Sequence, residues 1–183
     1  MTAGSEPPPG SAGPAPPGRP NPDRGKWPQL SGEVRDGRHV LAVRVYYEDT
    51  DFTGIVYHAN YLRFMERART EYLRLIGADH RALFAAASEE APGFAFVVRA
   101  MKIDFFKPAH MDDLLEVVTE PNDVRGASVL VRQRVTRGGE TLVEALVRVA
   151  FISGGRARPI PRPLRVALAA DQEKALGTEP GAR

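Results

Sequence analysis

The chain has 183 residues, 43% of them hydrophobic and 26% charged, and its 25 Lys and Arg face 23 Asp and Glu for a net charge of +2. That is the composition of one soluble globular domain, too short for two, and the basic surplus is too small to point to a nucleic-acid partner. With no cysteine there is no disulfide framework, thiolate catalysis or zinc–sulfur site. No apolar run approaches the roughly 18 residues of a membrane span, and the N-terminus lacks a secretory layout, so a cytoplasmic protein is expected.

Residues 1–37 form a compositional region of their own. Pro7, Pro8, Pro9, Pro14, Pro16, Pro17, Pro20, Pro22 and Pro28 alternate with Gly and Ser, and only Trp27, Leu30 and Val34 are sizeable apolar groups. Such a stretch buries too little to offset its ordering entropy and reads as a flexible tail, with Trp27 the residue to pack back on the domain. Structure is expected from His39. Leu41, Val43, Val45 and Tyr47 alternate with Val40, Ala42, Arg44 and Tyr46, a strand buried mainly on one face.

Asp49-Thr50-Asp51 ends that strand, and a helix follows from Tyr57 to Ile76 with Gly77 as its stop. Tyr61, Met65, Ala68, Tyr72, Leu75 and Ile76 recur at helical spacing and are expected to face a sheet. Arg63, Glu66, Arg67, Arg69, Glu71 and Arg74 decorate the rest, with Arg67 and Glu71 spaced as an ion pair. A shorter helix is expected over Asp79–Ala87. Four β-like runs come next: Phe94–Phe106, Leu114–Val124, Val129–Thr136 and Thr141–Ile152, the last two joined by a tight turn at Gly138-Gly139. Arg156–Arg165, with Pro159, Pro161 and Pro163, reads as irregular and basic, before a short helix over Ala167–Leu176. The plan is α+β, with one long helix against a curved antiparallel sheet of about five strands. Its domain spans residues 38–155, with 156–183 as a basic appendage, and uncovered sheet edges favour strand-to-strand dimerisation.

The joint between the first strand and the long helix concentrates the chemistry. Tyr46-Tyr47-Glu48-Asp49-Thr50-Asp51-Phe52-Thr53-Gly54-Ile55-Val56-Tyr57-His58-Ala59-Asn60-Tyr61 brings carboxylates, a glycine, a histidine and an asparagine to where the first N–H groups of a helix point. A carboxylate beside such an end suits chemistry on a polarised carbonyl. Taken one by one, these residues have plainer readings: Asp51 and Asp49 as turn aspartates, Asn60 as a local cap, His58 as a histidine at a helix start, Glu66 as an exposed ion-pairing residue. Gly54 reads as a site of positive φ or close ligand approach. His58 and Asn60 alone make a poor metal site, and no phosphate loop or Ser/His/Asp signature is present.

Val43 to Asp51, Gly54 to Tyr61 and Glu66-Arg67-Ala68-Arg69 closely resemble the YbgC-type acyl-CoA thioesterases, in the 4-hydroxybenzoyl-CoA thioesterase branch of the hotdog fold. The resemblance continues through Phe96-Val97-Val98-Arg99, Phe105-Phe106-Lys107-Pro108-Ala109 and Asp112-Asp113-Leu114 and covers about Val40 to Ile152. It implies a hotdog dimer or dimer of dimers with active sites at the subunit interface, hydrolysing acyl thioesters of coenzyme A or of acyl carrier protein without metal or other cofactor. The family's catalytic aspartate falls on Asp51, acting as nucleophile or as base on water, and the N–H that polarises the carbonyl falls at His58. Gly54, Tyr57, Tyr61, Arg99 and Lys107 are the substrate-binding expectations. Tyr61 would line the acyl pocket, and Arg99 and Lys107 belong to a set, with Lys102, Arg125, Arg156 and Arg158, from which phosphate contacts would come. Phe52-Thr53 departs from the small or proline residues common there, which bears on the acyl pocket and not on the carboxylate. Two rivals stand beside hydrolysis: a hotdog hydratase or dehydratase with His58 as base, and a non-catalytic acyl-carrier-binding scaffold tied to envelope maintenance, peripheral to the inner membrane.

Overall fold

Alternation of apolar and polar residues produces the sheet, and the computed structural model describes it for residues 28–76 and 95–177. In chain order the elements are α1 (Pro28–Ser31), β1 (Glu33–Arg35), β2 (Arg38–Arg44), a 3-10 turn (Tyr47–Asp49), α2 (His58–Leu75), β3 (Ala95–Phe105), β4 (Leu114–Val124), β5 (Ser128–Arg137), β6 (Glu140–Ser153), β7 (Arg156–Ala157) and α3 (Arg162–Gly177). The sheet runs β1-β2-β4-β5-β6-β3, antiparallel throughout, with β7 added to the end of β6. Five long strands therefore form its body and two short ones extend it. Gly138 and Gly139, at φ +57° and +84°, close the two-residue β5–β6 hairpin as a turn with both central residues left-handed. No helix among the described residues is long and apolar enough to cross a membrane.

Helix α2 lies against the sheet with Tyr61, Phe64, Met65, Ala68 and Tyr72 buried, the first four in one cluster with Leu115, Val117, Val131, Val135, Val143 and Val147. Leu75, expected in that face, is 42% exposed, because the helix ends there and turns away at Ile76. The helix also buries a cation. Arg69 is inside, its guanidinium donating to Gln133 Oε1 and paired with Glu66, while Gln133 Nε2 donates to Met65 O at 3.0 Å and Thr119 Oγ1 at 2.8 Å. The expected Arg67–Glu71 pair gives way to Glu66–Arg69 and Glu71–Arg74, each three residues apart.

Two expectations at the ends are corrected. Order begins before His39: Val34 pairs with His39 and Glu33 with Val40, and Ser31 O accepts from His39 Nε2 at 2.7 Å. The C-terminal stretch is not irregular up to Arg165. Pro163 sits in the first turn of α3, where its missing N–H costs nothing. Leu164 and Leu168 then pack with Tyr72, Phe151 and Ile160, and Tyr72 donates its hydroxyl to Asp171 Oδ2 at 2.9 Å. The expected helix over Asp79–Ala87, the Gly77 stop and the packing of Trp27 lie outside the described residues.

At the sheet's end, β3 pairs only with β6 among the described strands, and it carries Val98 and Phe105 partly exposed. In the core, Arg69→Met leaves the Gln133 carbonyl buried without its donor, which costs about 2 kcal/mol. Urea unfolding is expected to show that loss, and an unchanged midpoint would contradict this reading of the buried network.

Candidate active site

Between Thr50 and Val56, which face each other as an antiparallel bridge, the chain makes a three-residue hairpin loop. Asp51 N–H donates to Ile55 O at 2.9 Å, Gly54 N–H donates to Asp51 O at 3.0 Å, and Gly54 takes φ +77°. This is a type I turn closed by a left-handed residue, with aspartate at its favoured first position. A Cβ on Gly54 would meet nothing within 4 Å, so the backbone conformation and not space asks for glycine. Asp51 Oδ1 accepts from Thr53 N–H at 2.8 Å and from the Thr53 hydroxyl at 2.6 Å. Those two donors, the hydroxyl foremost and with a smaller pull from Ile55 N–H, hold the Asp51 carboxyl below the usual carboxylate range against a slight opposing effect of burial.

Asp49 ties this loop to α2. Its side chain accepts from Tyr46 N–H at 2.9 Å, and its carbonyl accepts from Tyr57 N–H at 2.9 Å and from Asn60 Nδ2 at 2.9 Å. The turn-forming reading of Asp49 holds, whereas Asn60 is not a local cap: it sits inside the first turn of α2 and its amide reaches a carbonyl eleven residues earlier. Tyr57 occupies the cap position of α2 with no side-chain cap, and the first turn carries no acidic residue. Asn60 N–H donates to Tyr57 O at 2.8 Å. Among the described residues, the N–H groups of His58 and Ala59 meet no acceptor, so the positive end of an 18-residue helix stands open.

The segment after β3 closes the site from the other side. Ile55 bridges to His110, Val56 N–H donates to Ala109 O at 2.8 Å, and Ala109 N–H donates to Tyr61 Oη at 2.9 Å. The result is a cleft of about 340 Å³ lined by Asp51, Ile55, Val56, His58, Tyr61, Phe105, Phe106, Lys107 and Pro108. Its walls are apolar, with a carboxylate and a helix end at one side. Burial pushes the Tyr61 phenol above its ordinary value, so it stays neutral, and its ring meets Phe105 edge-on at 5.9 Å.

Of the residues expected to take part, Asp51, His58, Tyr61 and Lys107 meet on this cleft. Gly54 shapes the loop beneath it. Tyr57 is 46% exposed with its ring 4.3 Å from that of His58. Lys107 is ion-paired with Glu140. Arg99 sits at the irregularity in β3 between Val98 and Ala100, six residues before Phe105 and so about 20 Å along the strand, away from this cleft. Ile55, Val56, Phe105, Phe106 and Pro108 belong to the stretches that carry the resemblance but were not expected as cleft lining, since an apolar residue inside a motif reads like any other core residue. The expectation that Phe52-Thr53 bears on the acyl pocket and not on the carboxylate is corrected for Thr53, whose N–H and hydroxyl both bond Asp51 Oδ1: an i,i+2 contact in a turn leaves no periodic trace.

Comparison with known proteins identifies the family. The thioesterase superfamily model matches residues 53–144. The chain is 46% identical over 131 residues to the acyl-CoA thioesterase YbgC of Haemophilus influenzae, covering 72% of this chain and 93% of that one. It is 44% identical over 122 residues to the acyl-CoA thioester hydrolase YbgC of Escherichia coli O6:H1, covering 66% and 87%. A crystal structure of a probable thioesterase from Bartonella henselae superposes with a TM-score of 0.62 at 41% identity, covering 68% of this chain and 99% of that one. With its hotdog sheet and helix and this likeness, the chain belongs to the thioesterase superfamily, as a thioester hydrolase of the YbgC type.

Proposed function

We propose that this hydrolase cleaves acyl thioesters of coenzyme A to the free acid and the thiol, with Asp51 supplying the reacting carboxylate and the first turn of α2 receiving the carbonyl oxygen. One observation carries the reading: the Asp51 carboxylate lines an apolar cleft together with His58, the first residue of a helix whose His58 and Ala59 N–H groups meet no acceptor among the described residues. The carboxylate acts on the carbonyl carbon directly, giving a mixed anhydride that water then opens, or through a water that it deprotonates. In either route negative charge grows on the carbonyl oxygen. The His58 and Ala59 amides are already oriented for it, so no reorganisation is spent in the transition state. His58 thus serves through its backbone, and its ring packs on Tyr57.

The apolar wall of Ile55, Val56, Tyr61, Phe105 and Phe106 takes the acyl group, and Lys107 at the rim is the cation for the carrier's phosphate. Acyl carrier protein offers the same thioester on its own phosphate-bearing arm and suits the same cleft. The carrier and acyl-CoA are water-soluble, which goes with work in the cytoplasm. The long edge of β3, with Val98 and Phe105 partly exposed, supports pairing of two copies along that strand, and sedimentation as a monomer at micromolar concentration would remove the dimer from this reading.

Asp51→Asn keeps the side chain's shape and its bond from Thr53 N–H while removing the anion. It is expected to lower kcat for acyl-CoA by about a thousandfold or more with an unchanged melting temperature, followed by thiol release across short, long and aromatic acyl-CoAs. Turnover within about twofold of the parent would reject the assignment. Because the carboxyl titrates below its ordinary value of 3.8, the anion persists as pH falls. The acidic limb of kcat/KM is therefore expected below 3.8, and a limb near neutrality would show that another group governs it.

A further inference from the structure

The turn that carries Asp51 would form without the Thr53 side chain. Its backbone needs aspartate at the first position, a left-handed residue at the fourth and an N–H at the third, which any residue but proline provides. Thr53 does more than that. Its hydroxyl adds a second bond, at 2.6 Å, to the same carboxylate oxygen that its N–H already holds at 2.8 Å. The side chain is exposed, packs in neither core cluster, and its hydroxyl makes no other bond among the described residues.

Two donors from one residue on one oxygen leave a carboxylate with little torsional freedom, and a charge-assisted bond of this length is a strong one. We infer that Thr53 is a positioning residue for the hydrolysis: it clamps Oδ1 of Asp51, fixes the carboxylate plane and reserves Oδ2 as the oxygen that works on the substrate side. This rests on the reading of Asp51 given above. The other titratable groups around Asp51 on the cleft are His58 and Tyr61 on α2 and Lys107 after β3, the last engaged by Glu140. None of them is hydrogen-bonded to the Asp51 carboxylate among the described residues, so the Thr53 hydroxyl is the side-chain contact through which its orientation and proton affinity are set.

Thr53→Val keeps the branched Cβ and the N–H and removes the hydroxyl alone, Thr53→Ser restores it, and Thr53→Ala serves if valine disturbs the turn. Thiol release from one acyl-CoA is measured from acid to neutral pH, beside 13C NMR titration of the Asp51 carboxyl. The Val and Ala variants are expected to lose about tenfold in kcat, with KM within about twofold. Their acidic limb and the Asp51 titration are expected to move up towards 3.8, and Ser is expected to match the parent in both. A Val or Ala variant with parental kcat and parental limb overturns the inference, as does a Ser variant that behaves like Val. Asp51→Asn run in parallel separates the cases: if it is active the parent reading has failed, and if it is inactive while Thr53→Val is normal only the role of Thr53 has failed.

Discussion

The carbonyl of Asp49 binds two parts of the chain that the backbone alone would leave free to drift. By accepting from both Tyr57 N–H and the buried Asn60 amide, it sets where α2 begins and how its first turn faces the Asp51 hairpin. A side chain at the cap would normally use the N–H groups that follow. Here Tyr57 stands at that position without capping, and the tether acts one residue earlier, so the amides of His58 and Ala59 are left for a ligand. Helix ends open in this way cost stability, and the cost is offset by packing further along, where Phe64, Met65 and Ala68 are fully buried.

The opposite wall follows from the same economy. Tyr61 is one helical turn past the open end, and its hydroxyl oxygen accepts from Ala109 N–H, so a core residue also holds the chain after β3 at the right height. That brings Phe105, Phe106 and Lys107 over the loop. Asp51 is held ionised chiefly by the Thr53 hydroxyl and N–H within its own turn, with no need of a neighbouring cation. The helix end remains available for charge that develops on the substrate.

Much of this was legible from residues alone. The alternation in β5 and β6, the helical spacing of Tyr61, Met65, Ala68 and Tyr72, and Gly138-Gly139 between two β runs each reflect a local rule, and these elements appear where that rule puts them. The alternation of the first strand runs on past its end, since β2 stops at Arg44 and Tyr47, expected on its buried face, enters a 3-10 turn 82% exposed. What local rules cannot carry is pairing across the chain. Glu33–Arg35 looks like tail because its strand is made by its partner β2. Arg69 looks like surface because its burial depends on Gln133, sixty-four residues away. The length of α3 was missed because Pro163 reads as a breaker unless the helix is known to start beside it. At the site, the motif named Asp51, His58, Tyr61 and Lys107 together, but the cleft's apolar lining and the clamp from Thr53 needed coordinates.

Helix-end polarisation of the bound carbonyl is the centre of the account, and vibrational spectroscopy reads it directly. Difference infrared spectra of Asp51→Asn with a 13C=O-labelled acyl-CoA report the carbonyl stretch of bound thioester before hydrolysis. A stretch shifted to lower frequency than in water is the result this structure predicts, since two fixed N–H donors outdo mobile solvent. A bound carbonyl at its aqueous frequency or above would contradict it.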